Sequence, residues 1–337
     1  MRTCPADRPA SAAAASAVER ALLGQFRARQ KAATESTALA IKLNHWGLFS
    51  ALNTLARTIL HAVAADATLC LRAERAGPNG WPYFPSPRFE ARHNCSSFAC
   101  YLDVAGGVDL FPPGCDGAWA RARGKGAEPQ FNLVRDGSLA ALRRRYGAGA
   151  SPHELRGIVS RWLFVPAAAT RAHVAAQRVR MGLDSTAPWV SLHVRWGDKL
   201  NEEGRRVGAD EFVAAARPMM RRANASRLFL ATSSPRAVAE VRGALAPTER
   251  LCVPNLTRVS DDAAARHKNH FLAEAAAPER SFLDAYSDVW TILQGAGAVV
   301  TYSSNIGRFV YWHNLRRIDR GDFAIASLDG VVEAELL

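Results

Sequence analysis

The second half of the chain alternates short apolar runs with helical segments, and this alternation constrains the fold more than any other feature. Runs at 189–194, 227–232, 251–254 and 298–303 read as strands, and residues 209–223, 235–245 and 281–296 carry apolar positions at helical spacing between them. A further helix is expected from Asn305 to about Arg317. Strands separated by helices must run parallel and be joined by crossovers, which predicts an α/β fold with a Rossmann-like sheet. In open sheets of this kind ligands gather at the carboxyl ends of the strands. Arg195 to Lys199, Ser233-Ser234, Asn255 and Ser303-Ser304-Asn305 fall there.

The first of these stretches is the most charged. Val190, Leu192 and Val194 alternate with Ser191 and His193, and Gly197 then breaks the strand into a loop holding Arg195, Asp198, Lys199, Glu202 and Glu203. Such a loop is either a solvated connection with surface ion pairs or a place where Arg195 and Lys199 hold a diphosphate while Glu203 moves a proton. Ser303, Ser304 and Asn305 can cap the following helix, and the same helix start can bind phosphate; the two roles are compatible. Asp284 and Asp288 are expected near the start of the helix before the last strand, as partners of its dipole or as a carboxylate that accepts N–H donors from guanine. The sequence holds no G-x-G-x-x-G and no Walker loop.

The first half is less regular. Residues 1–36 read as an Ala/Arg-rich peripheral leader, 37–185 as an N-terminal α/β lobe with long loops, and 186–337 as the second lobe. After a turn at Asn44 to Gly47, Leu48, Leu52, Leu55, Ile59 and Val63 mark one face of a helix, and a strand follows at 67–72. Gly47 to Ser50 is then either an anion-binding helix start or the first turn of an ordinary buried helix. Residues 73–150 are rich in Gly, Pro and aromatics, as in long surface loops, and two helices are expected at Leu155–Phe164 and Ala168–Met181.

At 337 residues and 48% apolar, the chain can bury a sizeable core. It has no apolar run long enough for a membrane span, and Met1 to Ala15 lacks the apolar stretch of a signal peptide, so anchoring through this segment is not expected unless an anchor lies upstream. The net charge of +12 comes mainly from dispersed arginines, which counts against a nucleic-acid partner. Lysine is scarce, so Lys199 stands out. The six cysteines form no CxxC pair and have no His at zinc spacing, so no metal site is expected. Cys95, Cys100 and Cys115 suit either a disulfide-stapled loop or unpaired buried thiols. Sequons at Asn94, Asn224 and Asn255 permit a secretory address.

The run from His193 to Glu203 (HVRWGDKLNEE) resembles the strand-and-loop motif of the α-1,6-fucosyltransferases of glycosyltransferase family 23, which act on the N-glycan core. Asp288 to Tyr311 is similar to that family's closing helix, strand, Ser-Ser and helix block, and Ser327-Leu328-Asp329 resembles a short motif after it. His45 to Leu71 and Leu155 to Val165 resemble further blocks. The resemblance implies a two-lobed GT-B-like fold and inverting, metal-independent transfer of fucose from GDP-fucose to a glycan or glycoprotein acceptor in the Golgi or secretory lumen. It implies that Arg195 neutralises the β-phosphate, that His193 and Asp288 hold the guanosine end, and that Gly47, Ser303 and Ser304 line the diphosphate. Glu203 takes the acceptor proton, with Lys199 beside it.

Two departures from the family pattern stand out: Trp196 where a second arginine is usual, and Ser233-Ser234 in place of an acidic pair. Arg205, Arg206 and Arg308 are candidates to supply the missing cation. The family's SH3-like domain, coiled coil and anchor have no counterpart in the sequence, so the acceptor does not transfer automatically. A nucleotide- or glycan-binding member without catalysis, or a fucosyltransferase with a protein or chitin-oligosaccharide acceptor, remains open on the sequence alone.

Overall fold

The structure is a computed structural model that describes residues 17–32, 38–42, 48–72, 137–147, 151–184, 186–196, 207–254 and 278–331. Its described residues form two compact units, one from the stretches up to Arg72 and from 137 to Val165, the other from Pro166 onward. None of the described helices is long and apolar enough to cross a membrane.

In the first unit β1 (Ala38–Lys42), α2 (Leu48–Ala64) and β2 (Thr68–Arg72) form a βαβ turn of chain, with β1 and β2 parallel and Ala38 opposite Thr68. The expected face of α2 is the buried one: Leu52, Leu55, Ile59 and Val63 are all at most 2% exposed. It packs against α4 (Pro152–Leu163), whose Leu155, Ile158, Val159 and Trp162 are buried. Helix α4 starts cleanly because the Ser151 hydroxyl accepts the Glu154 N–H at 2.9 Å and Pro152 fits the first turn. A short α3 (Ser138–Tyr146), which the sequence reading did not foresee, also lies against α2.

The leader expected to be peripheral instead contains a core helix, α1 (Ala17–Lys31). Leu22, Leu23, Phe26 and Gln30 recur along one face and are buried, and Phe26 meets Trp162 edge-on at 5.5 Å. Gln30 acts as a surrogate strand residue: its carboxamide accepts the Leu69 N–H at 2.7 Å and donates to the Leu69 carbonyl at 3.0 Å. A helix thus covers backbone groups that β2 would otherwise leave unpaired. Truncating Phe26 to Ala is expected to cost about 3–5 kcal/mol in urea-unfolding stability, against less than about 0.5 kcal/mol for a truly peripheral segment.

The second unit holds a five-stranded parallel sheet. Its strands are β3 (Trp189–His193), β4 (Arg227–Ala231), β5 (Arg250–Cys252), β6 (Gly297–Val300) and β7 (Ala324–Ser327), in the order β5-β4-β3-β6-β7. The helices are α5 (Ala168–Met181), α6 (Ala209–Ala223), α7 (Pro235–Ala244), α8 (Pro278–Gln294) and α9 (Asn305–Asp319). Strand β7, on the edge, is absent from the sequence expectation. Its Ala-Ile-Ala-Ser carries one β-branched apolar residue and is only half-buried, so it gives little strand signal.

Side-chain alternation sorts the strand residues onto two faces. Val190, Leu192, Val194, Leu228, Leu230 and Val299 pack with Phe212, Val213, Ala216 and Met220 of α6 and with Ala237 and Val241 of α7. The opposite parity faces α8, where the Trp189 indole donates to the Thr291 carbonyl at 3.3 Å.

Cys70, on β2, is disulfide-bonded, and Cys252, on β5, is free and buried. The crowded Cys95, Cys100 and Cys115 lie outside the described residues.

Candidate functional site

The sheet order itself selects a place for a ligand. From β3 the chain moves outward through β4 to β5, then returns through α8 to β6 on the other side of β3 and ends at β7. The strand order therefore reverses between β3 and β6, and it is at such a switch point, outside the carboxyl ends of the strands, that open sheets of this kind hold ligands. The residues that follow the two strands are His193 to Arg195 on one side and Thr301 to Ser304 on the other.

On the β3 side the Val194 N–H still bonds to the Ala231 carbonyl at 3.1 Å, which carries the strand geometry to the rim. His193 is 6% exposed, and its Nδ1 has no hydrogen-bond partner among the described residues. Burial, with the nearby Arg195 cation adding to it, lowers its pKa from 6.5 to about 3, so the imidazole is neutral near pH 7. A buried ring nitrogen without a partner is a site prepared for one. Arg195 shares the parity of His193 and is partly exposed.

A stability consequence follows from the depressed pKa. The unfolded chain takes up a proton on this histidine near pH 6.5, and the folded chain does not until about pH 3. Its contribution is thus fully present above pH 6.5 and declines as pH falls through that window, by about 1.4 kcal/mol per pH unit. Urea unfolding from pH 7 to pH 5 is expected to show this slope, and His193→Gln to remove it.

Trp196 is not a substitute at a ligand position. It continues the core parity of Val190, Leu192 and Val194, is 5% exposed within the α6 and α7 cluster, and donates its indole N–H to the Val207 carbonyl at 3.2 Å. Residues 197–206, which carry Lys199, Glu203, Arg205 and Arg206, lie outside the described residues. Trp196 and Val207 flank that segment, so this one bond ties its two ends together at the rim.

The β6 side is held by the Ser327-Leu328-Asp329 motif. Asp329 accepts the Ser303 N–H at 2.5 Å and the Ser327 hydroxyl at 2.6 Å, and Ser327 Oγ accepts the Tyr302 N–H at 3.0 Å. Burial pushes the Asp329 carboxyl up, but hydrogen bonds from Ser327 and from the N–H and hydroxyl of Ser303 outweigh it and hold the group below its ordinary value. From the other side Arg308 donates through Nε to the Tyr302 carbonyl at 2.7 Å and through Nη2 to the Ser303 carbonyl at 2.9 Å. Burial lowers the guanidinium pKa, and the Asp329 charge opposes that shift. Ser304, 1% exposed, caps α9 by accepting the Ile306 N–H at 3.3 Å.

Glycine is required at 307, because a Cβ there would lie 2.0 Å from the Thr301 carbonyl oxygen. These contacts fix the loop between β6 and α9, and the sequence reading missed them. It registered the Ser-Leu-Asp motif without a role and offered Arg308 as a free cation, whereas two of its nitrogens are already committed.

Asp284 and Asp288 are mid-helix residues of α8, which starts at Pro278, so they do not occupy the first turn. Asp284 is tied to α5, accepting from Gln177 at 3.3 Å and lying 3.2 Å from His173 Nε2. Asp288, half-buried, is one turn further along the same helix. Ser234 caps α7 by accepting the Ala237 N–H at 3.0 Å, and Ser233 is exposed at the rim. Gly47 and Asn255 lie outside the described residues. The structure thus places His193 and Arg195 at the carboxyl end of β3, Ser303 and Ser304 at that of the neighbouring β6, and Asp288 on α8, the helix on the sheet face that shares the parity of His193.

No family model matches the sequence, and no curated protein matches it. Among solved structures the chain is similar to the crystal structure of fucosyltransferase NodZ from Bradyrhizobium, at 14% identity over 83% of this chain and 93% of that one, with a TM-score of 0.47. It is also similar to NodZ alpha-1,6-fucosyltransferase soaked with GDP-fucose, at 14% identity over 82% and 92% of the respective chains, with a TM-score of 0.48.

Proposed function

We propose that the protein is an inverting fucosyltransferase of GT-B-like architecture that takes GDP-fucose as donor and a glycan as acceptor, the acceptor being a GlcNAc of an N-glycan core joined through an α-1,6 linkage. The observation that carries this reading is the meeting of Arg195 and a buried, neutral His193, its Nδ1 without a partner among the described residues, at the switch point of a parallel sheet. A switch point suits a nucleotide, a neutral imidazole hydrogen-bonds it without adding charge, and Arg195 meets the diphosphate. Helix α9 starts just after β6, the neighbour of β3, and a helix start favours the same negative charge.

In this mechanism the acceptor hydroxyl attacks the fucose anomeric carbon directly while GDP departs. Arg195 stabilises the charge growing on the β-phosphate, Glu203 receives the hydroxyl proton, and Lys199 tunes that carboxylate. Asp288 reads guanine, and Gly47, Ser303 and Ser304 line the diphosphate. The transfer uses no metal ion, as the family resemblance implies. The disulfide at Cys70 supports a lumen of the secretory pathway as the place of action. Binding without turnover loses one of its motives, since Trp196 is a core residue.

Titration with GDP and GDP-fucose, followed by GDP-release assays on GlcNAc-terminated N-glycans, chitin oligosaccharides and protein acceptors, tests the reading. Saturable GDP-fucose binding with turnover on a core glycan supports it. Absence of GDP binding overturns the donor assignment, and turnover confined to another acceptor overturns the linkage.

A further inference from the structure

Asn224 is the one sequon asparagine among the described residues, and the fold presents it as a modification acceptor. Asn224-Ala225-Ser226 forms the turn between α6 and β4. Asn224 ends α6 in the left-handed conformation, φ 51° and ψ 44°. The backbone of the turn is used internally: the Asn224 N–H bonds to the Arg221 carbonyl, the Ala225 N–H to the Met220 carbonyl at 2.9 Å, and the Ser226 carbonyl accepts the Arg250 N–H at 2.8 Å. The side chains of Asn224 and Ser226 are both exposed.

A left-handed helix end calls only for a residue that tolerates positive φ, and glycine does so at least cost. Asparagine is the second choice, and here its carboxamide makes no hydrogen bond among the described residues. The hydroxyl at the third sequon position is likewise directed outward. The turn also sits where β4 begins, at the opposite end of the sheet from His193 and Arg195, so a large substituent there leaves the carboxyl ends of the strands open.

A separate observation bears on the compartment. Cys70 is disulfide-bonded, and such bonds persist in oxidising lumens, where sequons are also modified. We infer that Asn224 carries an N-linked glycan. The donor class is an oligosaccharide on a lipid diphosphate. A bond forms between Asn224 Nδ2 and the reducing-end anomeric carbon, the bond from that carbon to the diphosphate oxygen breaks, and the amide proton leaves with the lipid diphosphate.

The full chain purified from its own cells is digested with a peptide N-glycosidase in heavy-oxygen water and its peptides are weighed. The expected result is conversion of residue 224 from Asn to labelled Asp, with Cys70 recovered as a disulfide. An unconverted Asn224 overturns the inference, whether Cys70 is found oxidised or reduced. Ser226→Ala and Asn224→Gly, expressed in a eukaryotic secretory host, are expected to lose the glycan at this position and keep the unfolding midpoint of the enzymatically deglycosylated protein. The inference also fails if either variant retains mass at residue 224. GDP-fucose binding has no part in these readouts, so they stand apart from the proposed activity.

Discussion

Glu203→Gln is expected to bind GDP-fucose as tightly as the parent and to lose about 10²–10⁴-fold in turnover. The reason is that the amide keeps the size and the hydrogen-bonding reach of the carboxylate but has no basic oxygen to receive the acceptor proton. In the proposed mechanism donor binding rests on other groups, those at the carboxyl ends of β3 and β6. The hydrogen bond from the Trp196 indole to the Val207 carbonyl, on either side of the stretch that holds Glu203, does not include Glu203. The variant's stability in urea should therefore match the parent, which separates lost chemistry from lost folding. Calorimetric titration with GDP-fucose and initial rates of GDP release on the best acceptor are the measurements. An unchanged kcat would move the base to Glu202 or to another element. A fall in donor affinity equal to the fall in kcat would instead mean that the carboxylate organises the donor.

The parts of this protein that were legible in the sequence are those where burial and strand propensity agree. Leu228, Phe229 and Leu230 of β4 are central-strand residues buried on both faces and read as a continuous apolar run, while β3 reads through the strict alternation of Val190 and Leu192 with Ser191 and His193. Strands β1 and β7 were hidden for the converse reason. β1 reads Ala-Leu-Ala-Ile-Lys and β7 reads Ala-Ile-Ala-Ser, and alanine carries no strand signal in an Ala-rich chain. The helical bias of residues 12–29 was legible, but the core face of α1 was not, because one of its four buried residues is a glutamine whose role against Leu69 depends on a strand about forty residues away.

At the site the parity rule was sufficient for Trp196. It stands two residues beyond Val194, on the core side, while His193 and Arg195 fall on the other. Motif alignment had placed Trp196 beside the diphosphate, and the simple alternation is the better guide. The clamp of Ser327, Asp329 and Arg308 around the β6 loop was not readable, because it joins residues whose proximity exists only once β7 has paired with β6.

Arg195→Ala is expected to impair donor binding and catalysis together, with turnover falling about 10²–10³-fold. In the proposed mechanism charge grows on the β-phosphate as the glycosidic bond breaks, so the guanidinium would contribute more at the transition state than in the bound complex. Arg195→Lys is expected to restore only part of the loss, because an ammonium lacks the two-pronged geometry that matches phosphate oxygens. Arg308 is poorly placed to compensate, since its Nε and Nη2 already hold the Tyr302 and Ser303 carbonyls and releasing them would free the loop it secures. GDP affinity by titration and kcat on the best acceptor give the result. Unchanged values in both would pass the role to Arg205 or Arg206. A control distinguishes a lost cation from a disturbed strand end: burial is the larger cause of the low His193 pKa and the Arg195 charge the smaller one. Arg195→Ala should therefore retain most of the acid-side loss of stability below pH 6.5. If that slope disappears along with GDP binding, the substitution has opened the β3 terminus, and the loss of activity says nothing about phosphate.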